Sequence, residues 1–134
     1  MEIYQAPQER FVAHFIGLAN FLEGRVKKSG RPAEVETSCG TLKCILPGEL
    51  GAGEPVVIVV RPEDVNLVTE PSPGDENVLE GKVEAVIFMG DALECQVAVG
   101  TKTLRLKLHP SSPVARGKTV QLELPPERCR ALRG

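Results

Sequence analysis

The sequence predicts a mainly β chain built from two echoing halves. Three observations carry that reading. Apolar and polar residues alternate with period two in segment after segment, as half-buried antiparallel strands require. Gly 13 and Pro 11 punctuate those segments, which suits short strands joined by turns. A seven-residue pattern, N-x-L-E-G-(basic)-V, also occurs twice: Asn20-Phe21-Leu22-Glu23-Gly24-Arg25-Val26 is echoed by Asn77-Val78-Leu79-Glu80-Gly81-Lys82-Val83.

The one predicted helix comes first. Pro7 suits a first helical turn, where its missing N–H costs nothing. Phe11, Val12, Phe15 and Ile16 fall on one face at helical spacing, and Gly17 offers a left-handed stop. Such a short amphipathic helix is marginal alone, so its apolar face needs a partner. Self-association of the isolated chain through Phe11, Phe15 and Ile16 is therefore expected. His14 lies off that face and reads as a solvated surface residue.

Strands follow. Leu22, Gly24 and Val26 alternate with charged residues, and Leu42, Cys44 and Leu46 flank Lys43 and Ile45. Val56 to Val60 is the longest apolar run, far too short to cross a bilayer and right for a buried strand. Leu79, Val83, Ala85 and Ile87 are expected on one face, ending at Met89-Gly90-Asp91. Leu93, Cys95, Val97 and Val99 form the next strand, then Leu104, Leu106 and Leu108, then Val120, Leu122 and Leu124. Gly81 inside a strand marks a bulge or a tight barrel corner. Gly90-Asp91 and Gly100-Thr101 read as hairpin turns.

The echo extends to the far end of each half. Gly53-Glu54-Pro55-Val56 through Arg61-Pro62-Glu63 is answered by Gly117-Lys118-Thr119-Val120 through Pro125-Pro126-Glu127. A polar, breaker-rich joint, Glu70 to Glu76, lies between. The predicted organisation is a helical link over 1–19, a first half over 20–70 and a second over 71–134. Each half is too small for a good core of its own. The two should pack together or exchange strands as a compact pair of OB-like barrels.

Composition removes several functions. Net charge is −2 with both signs scattered, and aromatics are 4% with no Trp. A nucleic-acid OB module needs a basic stripe and stacking rings. Cys39, Cys44, Cys95 and Cys129 lack paired zinc spacing and read as reduced thiols. Gly117-Lys118-Thr119 mimics the end of a phosphate loop, but Ser112 stands where that loop needs glycine, and a strand pattern follows. Glu63 and Asp64 are chain neighbours, so they would point apart on an extended strand. Arg61-Pro62-Glu63-Asp64 reads instead as a rigid turn or a short helical turn. His14 and His109 have no nucleophile motif beside them. The start Met1-Glu2-Ile3-Tyr4 lacks a secretory pattern, so the cytoplasm is expected.

The string Glu2-Ile3-Tyr4 to Phe21-Leu22 resembles a segment of ABC-importer ATP-binding subunits reading E-I-Y-x-x-P-x-x-x-F-V-A-x-F-I-G-x-x-N-F-L. In the polyamine, maltose, sulfate and iron importers it links the ATPase to a C-terminal TOBE (transport-associated OB) domain. Val60-Arg61-Pro62-Glu63-Asp64-Val65 looks like the V-R-P-E-D segment of those domains. The resemblance implies a duplicated OB-like barrel with no catalysis of its own, and no cofactor. ATP and Mg would bind the missing ATPase domain. It implies a regulatory, dimer-supporting role peripheral to the inner membrane. Expected partners are the ATPase domain of the same subunit, a second ATPase subunit and, indirectly, the permease. Phe11, Val12, Phe15, Ile16, Arg61 and Glu63 are the implied interface residues. A chain starting inside the linking motif is expected to be a fragment or a split gene product. The repeated N-x-L-x-G-x-V also resembles molybdate-binding Mop domains, making Asn20 and Asn77 candidates for a small-oxyanion loop. The S-A-R expected before each asparagine is absent: Gly17-Leu18-Ala19 and Gly74-Asp75-Glu76 stand there.

Overall fold

The computed structural model describes residues 19–68 and 77–133. The predicted helix and its interface residues Phe11, Val12, Phe15 and Ile16 lie outside them. So does the whole joint between the halves, Glu70 to Glu76.

Among the described residues the period-two segments form two five-stranded antiparallel sheets. The first contains β1 (Asn20–Lys28), β2 (Ala33–Thr37), β3 (Gly40–Cys44) and β4 (Pro55–Val60). A 3-10 turn (Pro62–Asp64) follows β4, as Arg61-Pro62-Glu63-Asp64 predicts, and leads into β5 (Asn66–Val68). The second half supplies β6 (Val78–Phe88), β7 (Leu93–Val99), β8 (Lys102–Leu108) and β9 (Thr119–Glu123). A second 3-10 turn (Pro126–Arg128) then leads into β10 (Arg130–Arg133).

The sheets do not follow the chain halves. Their orders are β10-β4-β1-β2-β3 and β5-β9-β6-β7-β8. Each half sends its last strand into the other half's sheet: β10 pairs with β4, and β5 with β9. Strand exchange, one of the two arrangements the duplication allows, is the one observed. We call the two sheets lobe 1 and lobe 2. Their buried residues join in one core, from Leu22, Val35, Leu42 and Ile58 in lobe 1 to Val83, Val97, Leu106 and Leu122 in lobe 2. Each large side chain removed from water there contributes about 2 kcal/mol.

The repeat holds in detail. Gly24 and Gly81 occupy equivalent places on β1 and β6. A Cβ at Gly24 would stand 2.5 Å from the Glu36 carbonyl oxygen, and one at Gly81 would stand 2.6 Å from that of Ala98. Both positions need glycine because the neighbouring strand passes too close. Two residues later each strand is irregular, between Val26 and Lys28 and between Val83 and Ala85. Gly53 donates its N–H to the Val26 carbonyl, and Gly117 donates its own to that of Val83. Both glycines have positive φ, 89° and 87°. The phosphate-loop mimic Gly117-Lys118-Thr119 is thus lobe 2's copy of Gly53-Glu54-Pro55, and it opens strand β9.

The irregularity corrects one expectation. Alternation from Leu79 would place Ala85 and Ile87 on the core face. The bulge after Val83 shifts the register by one residue. Val86 turns toward the core instead, and Ile87 is left exposed.

Candidate functional site

Asn20 and Asn77 sit at the junction of the lobes, only 4% and 9% exposed. Asn20 opens β1, and its side chain grips the backbone of Arg105 on β8. Its Nδ2 donates to the Arg105 carbonyl at 2.9 Å, and its Oδ1 accepts the Arg105 N–H at 2.8 Å. Asn77 does the same to Lys43 on β3, with both bonds at 2.7 Å. It also donates to the Leu124 carbonyl at 2.9 Å. Its φ is 55°, a left-handed conformation that asparagine tolerates better than most residues. Each asparagine therefore acts as a short strand mimic, pairing with an edge of the opposite lobe. The amides face protein backbone.

The 3-10 turns lie beside these clamps. The first packs on β8 and the second on β3. Between the turns, β4 and β10 lies an open groove of about 600 Å³. Arg61, Arg128 and Arg130 line it together with Glu63, Asp64 and Glu127. The two other predicted interface residues, Arg61 and Glu63, are on its rim, with side chains 66% and 53% exposed and 4.0 Å apart. An exposed pair at that distance contributes little. The groove carries both signs of charge in an open, wet setting.

The thiols are packing groups. Cys44, Cys95 and Cys129 are buried, and Cys39 is half-buried. Burial pushes the Cys44 thiol up to about 11. Burial, reinforced by the neighbouring Cys44, pushes Cys129 up to about 12. Raised values mean neutral, unreactive thiols near pH 7. Among the described residues no cluster of histidine, cysteine and acidic groups could hold a metal ion. Glu94 is the acidic group moved most clearly in the other direction. Its hydrogen bonds from Arg105, at 2.9 Å, and from Gln96 hold its carboxyl below the usual range.

Two surface features escape the sequence reading. The β6–β7 hairpin ends in a bare apolar tip, with Ile87, Phe88 and Met89 at 41%, 68% and 58% exposure. The run of three apolar residues before Gly90-Asp91 was its signal, hidden by the assumption of unbroken alternation. A groove of about 690 Å³ also opens on lobe 1 beside the β1–β2 hairpin, lined by Arg31, Leu46 and Leu50 among others. No local pattern announces it.

Comparison with known proteins decides the family. The TOBE domain family (TOBE_2) matches residues 58–132, more than half of the chain. The chain belongs to the TOBE domain family. Its relatives include a spermidine/putrescine import ATP-binding protein PotA of Trichodesmium erythraeum, 36% identical over 72% of this chain and 27% of the relative. PotA of Pseudomonas fluorescens is 31% identical over 96% of this chain and 36% of its own length. The sulfate/thiosulfate import ATP-binding protein CysA 2 of Chromobacterium violaceum is 34% identical over 99% of this chain and 37% of its own. This TOBE chain therefore spans about a third of the length of these curated relatives. Among solved structures, the cytoplasmic molybdate-binding protein ModG superposes with a TM-score of 0.76 over 86% of this chain and 96% of that one. Their identity is 18%, so the likeness is one of fold. The TOBE fold is thus the mainly β, OB-like pair of lobes predicted. No helix among the described residues is long and apolar enough to cross a membrane.

Proposed function

We propose that this chain is the non-catalytic, regulatory and dimer-supporting C-terminal domain of an ABC importer's ATP-binding subunit. One observation carries the reading. Import ATP-binding proteins align with nearly all of this chain, which spans only 36–37% of their length. Nucleotide chemistry then belongs to the remaining two thirds of such a subunit, where ATP and Mg would bind. This domain contributes surfaces: the apolar face of Phe11, Val12, Phe15 and Ile16 toward its own ATPase domain, and the Arg61–Glu63 rim toward a neighbour. Its place is the cytoplasmic side of the inner membrane, held there by the transporter complex.

The test uses the Pseudomonas fluorescens PotA relative cut back to its ATPase portion. Added in trans, this chain is expected to form a complex with that portion on size exclusion and to change its ATP turnover. Phe15→Ser should weaken the complex. Absence of a complex, or ATP hydrolysis by this chain alone, counts against the reading.

Likeness to ModG supports a second reading, a small-oxyanion sensor. The engaged amides of Asn20 and Asn77 weigh against it, as do Asp75 and Glu76 ahead of Asn77, whose charges repel an anion. Calorimetric titration with molybdate, tungstate and sulfate is expected to give no binding heat. Saturable heat with any of them would reinstate the sensor.

A further inference from the structure

The two lobes repeat each other along β1–β2 and β6–β7 until the hairpin ends. The β1–β2 ladder stops at the pair Lys28 and Glu34. Its equivalent in lobe 2 runs three pairs further: Val86 with Cys95, Ile87 with Glu94, and Phe88 with Leu93. Phe88 shares the core-facing side of β6 with Val86, but it has passed the end of the core. It and Met89 stand in solvent at 68% and 58% exposure. Asp91 follows in the turn. Barrel closure does not require this extension, since lobe 1 does without it.

Lobe 1 offers the complement at the corresponding end. Leu50 is buried and Leu46 half-buried, and together they floor the groove of about 690 Å³. Exposed Arg31 stands at its lip, with Ser29 and Gly30, and exposed Lys27 and Lys28 lie just before them in sequence. Glu49 is the one carboxylate lining the groove. A space of that size holds a drug-sized apolar group. Among the described residues of one chain, none covers the tip or fills the groove.

We propose that the occupant of this groove is the β6–β7 tip of a second copy of the chain. Phe88 and Met89 pack over the half-buried Leu46, and Asp91 meets Arg31. Tip-to-tip pairing would instead bring Asp91 against Asp91. A two-fold axis lets each copy give its tip and receive the other's, so the contact is made twice and closes. This deepens the dimer-supporting part of the proposed function by naming the surfaces. Its test uses the chain alone, so its failure is separable from failure of the transporter assignment.

Sedimentation velocity over a concentration series is expected to show a monomer–dimer equilibrium. Phe88→Ser with Met89→Ser should weaken it roughly tenfold or more. The circular dichroism and Tm of the monomer, read at concentrations too low for dimer, should stay unchanged, because both side chains are then already in water. Arg31→Glu and Asp91→Arg should each weaken it, and combining them should restore much of the loss. A chain that stays monomeric at the highest concentration reached overturns the proposal. So does a dimer that survives the loss of Phe88 and Met89, including one abolished by Phe15→Ser alone. A charge-reversed pair no better than its single variants overturns it as well.

Discussion

Lobe 1 and lobe 2 share one plan but close differently. In lobe 1 a parallel bridge ties Ile45, just past β3, to Arg130 on β10. Ile45 donates to the Cys129 carbonyl at 2.8 Å, and Ala131 donates to that of Ile45 at 2.8 Å. That bridge joins the first and last strands of the sheet into a barrel. The equivalent seam in lobe 2 lies between β8 and β5, and no bridge is formed there among the described residues. A groove of about 660 Å³ separates the two edges, with Val65, Leu67, Lys107 and Leu108 along it. The lesson is that a repeated strand plan does not ensure a repeated barrel. Closure depends on whether the borrowed strand reaches the far edge. Buried Cys44 and Cys129 flank the closed seam, and their counterparts beside the open one are Leu106 and Val65.

The clamps offer the sharpest way to break this comparison. Asn77→Ala is expected to cost about 3 kcal/mol, because the part-buried backbone of Lys43 loses two hydrogen bonds, the buried Leu124 carbonyl loses one, and alanine resists the positive φ. Asn20→Ala should cost less, about 2 kcal/mol, since Asn20 engages the backbone of one residue, Arg105, whereas Asn77 engages Lys43 of the opposite lobe and Leu124 of its own. Urea denaturation followed by circular dichroism measures both. Equal costs would mean that the lobes do not depend differently on their clamps.

Next come the paired glycines. Gly24→Ala and Gly81→Ala should each cost about 2–3 kcal/mol, because a methyl would overlap the adjacent strand. Similar values would show that the repeat is energetic as well as geometric. An appreciably smaller cost at Gly81 would show that the open seam lets lobe 2 relax.

Hydrogen exchange reads the seams themselves. The Ile45 and Ala131 amides should be protected nearly as well as the core. The equivalent amides of Lys107 and Leu67, which face the open groove in the same register, should exchange much faster. Equal protection would close lobe 2 after all.

The smallest effects are those of pH, and they have opposite signs. The Cys44 and Cys129 thiols are raised in the native state, so their contribution is complete below an unfolded thiol pKa of about 8.5. It is lost as pH rises through about 11 and about 12. Glu94 on lobe 2 is lowered by Arg105. Its contribution is complete above the ordinary carboxylate pKa and is lost as pH falls through the depressed native value. Thermal melts across pH should show Cys129→Ala flattening the alkaline limb and Glu94→Gln flattening the acid limb.

Much of this was legible in the sequence. Period-two alternation located β1, β3 and β6 to β9, and the apolar run located β4, because a buried face leaves a direct trace; β2 and the exchanged strands β5 and β10 went unpredicted. The doubled asparagine and glycine motif revealed the duplication. It also drew attention to Asn20 and Asn77 before their bonding was visible, although their partners Arg105 and Lys43 lie far off in the chain. Ile87 was misplaced because a bulge adds a residue without changing the composition of the strand. The lobe 1 groove was invisible because Arg31, Leu46 and Leu50 meet only after three strands have folded. The open seam was equally hidden, since it depends on the reach of β5, whose three residues look like those of any short strand.

The exchanged strands have a consequence for each half of the chain. Half of this molecule, made alone, would lack one strand of its own sheet and carry another with nowhere to lie. Two identical halves could each supply what the other lacked. A polypeptide of half this length built on the same plan would therefore complete its sheets only as an interlocked homodimer, and one continuous chain makes that exchange intramolecular.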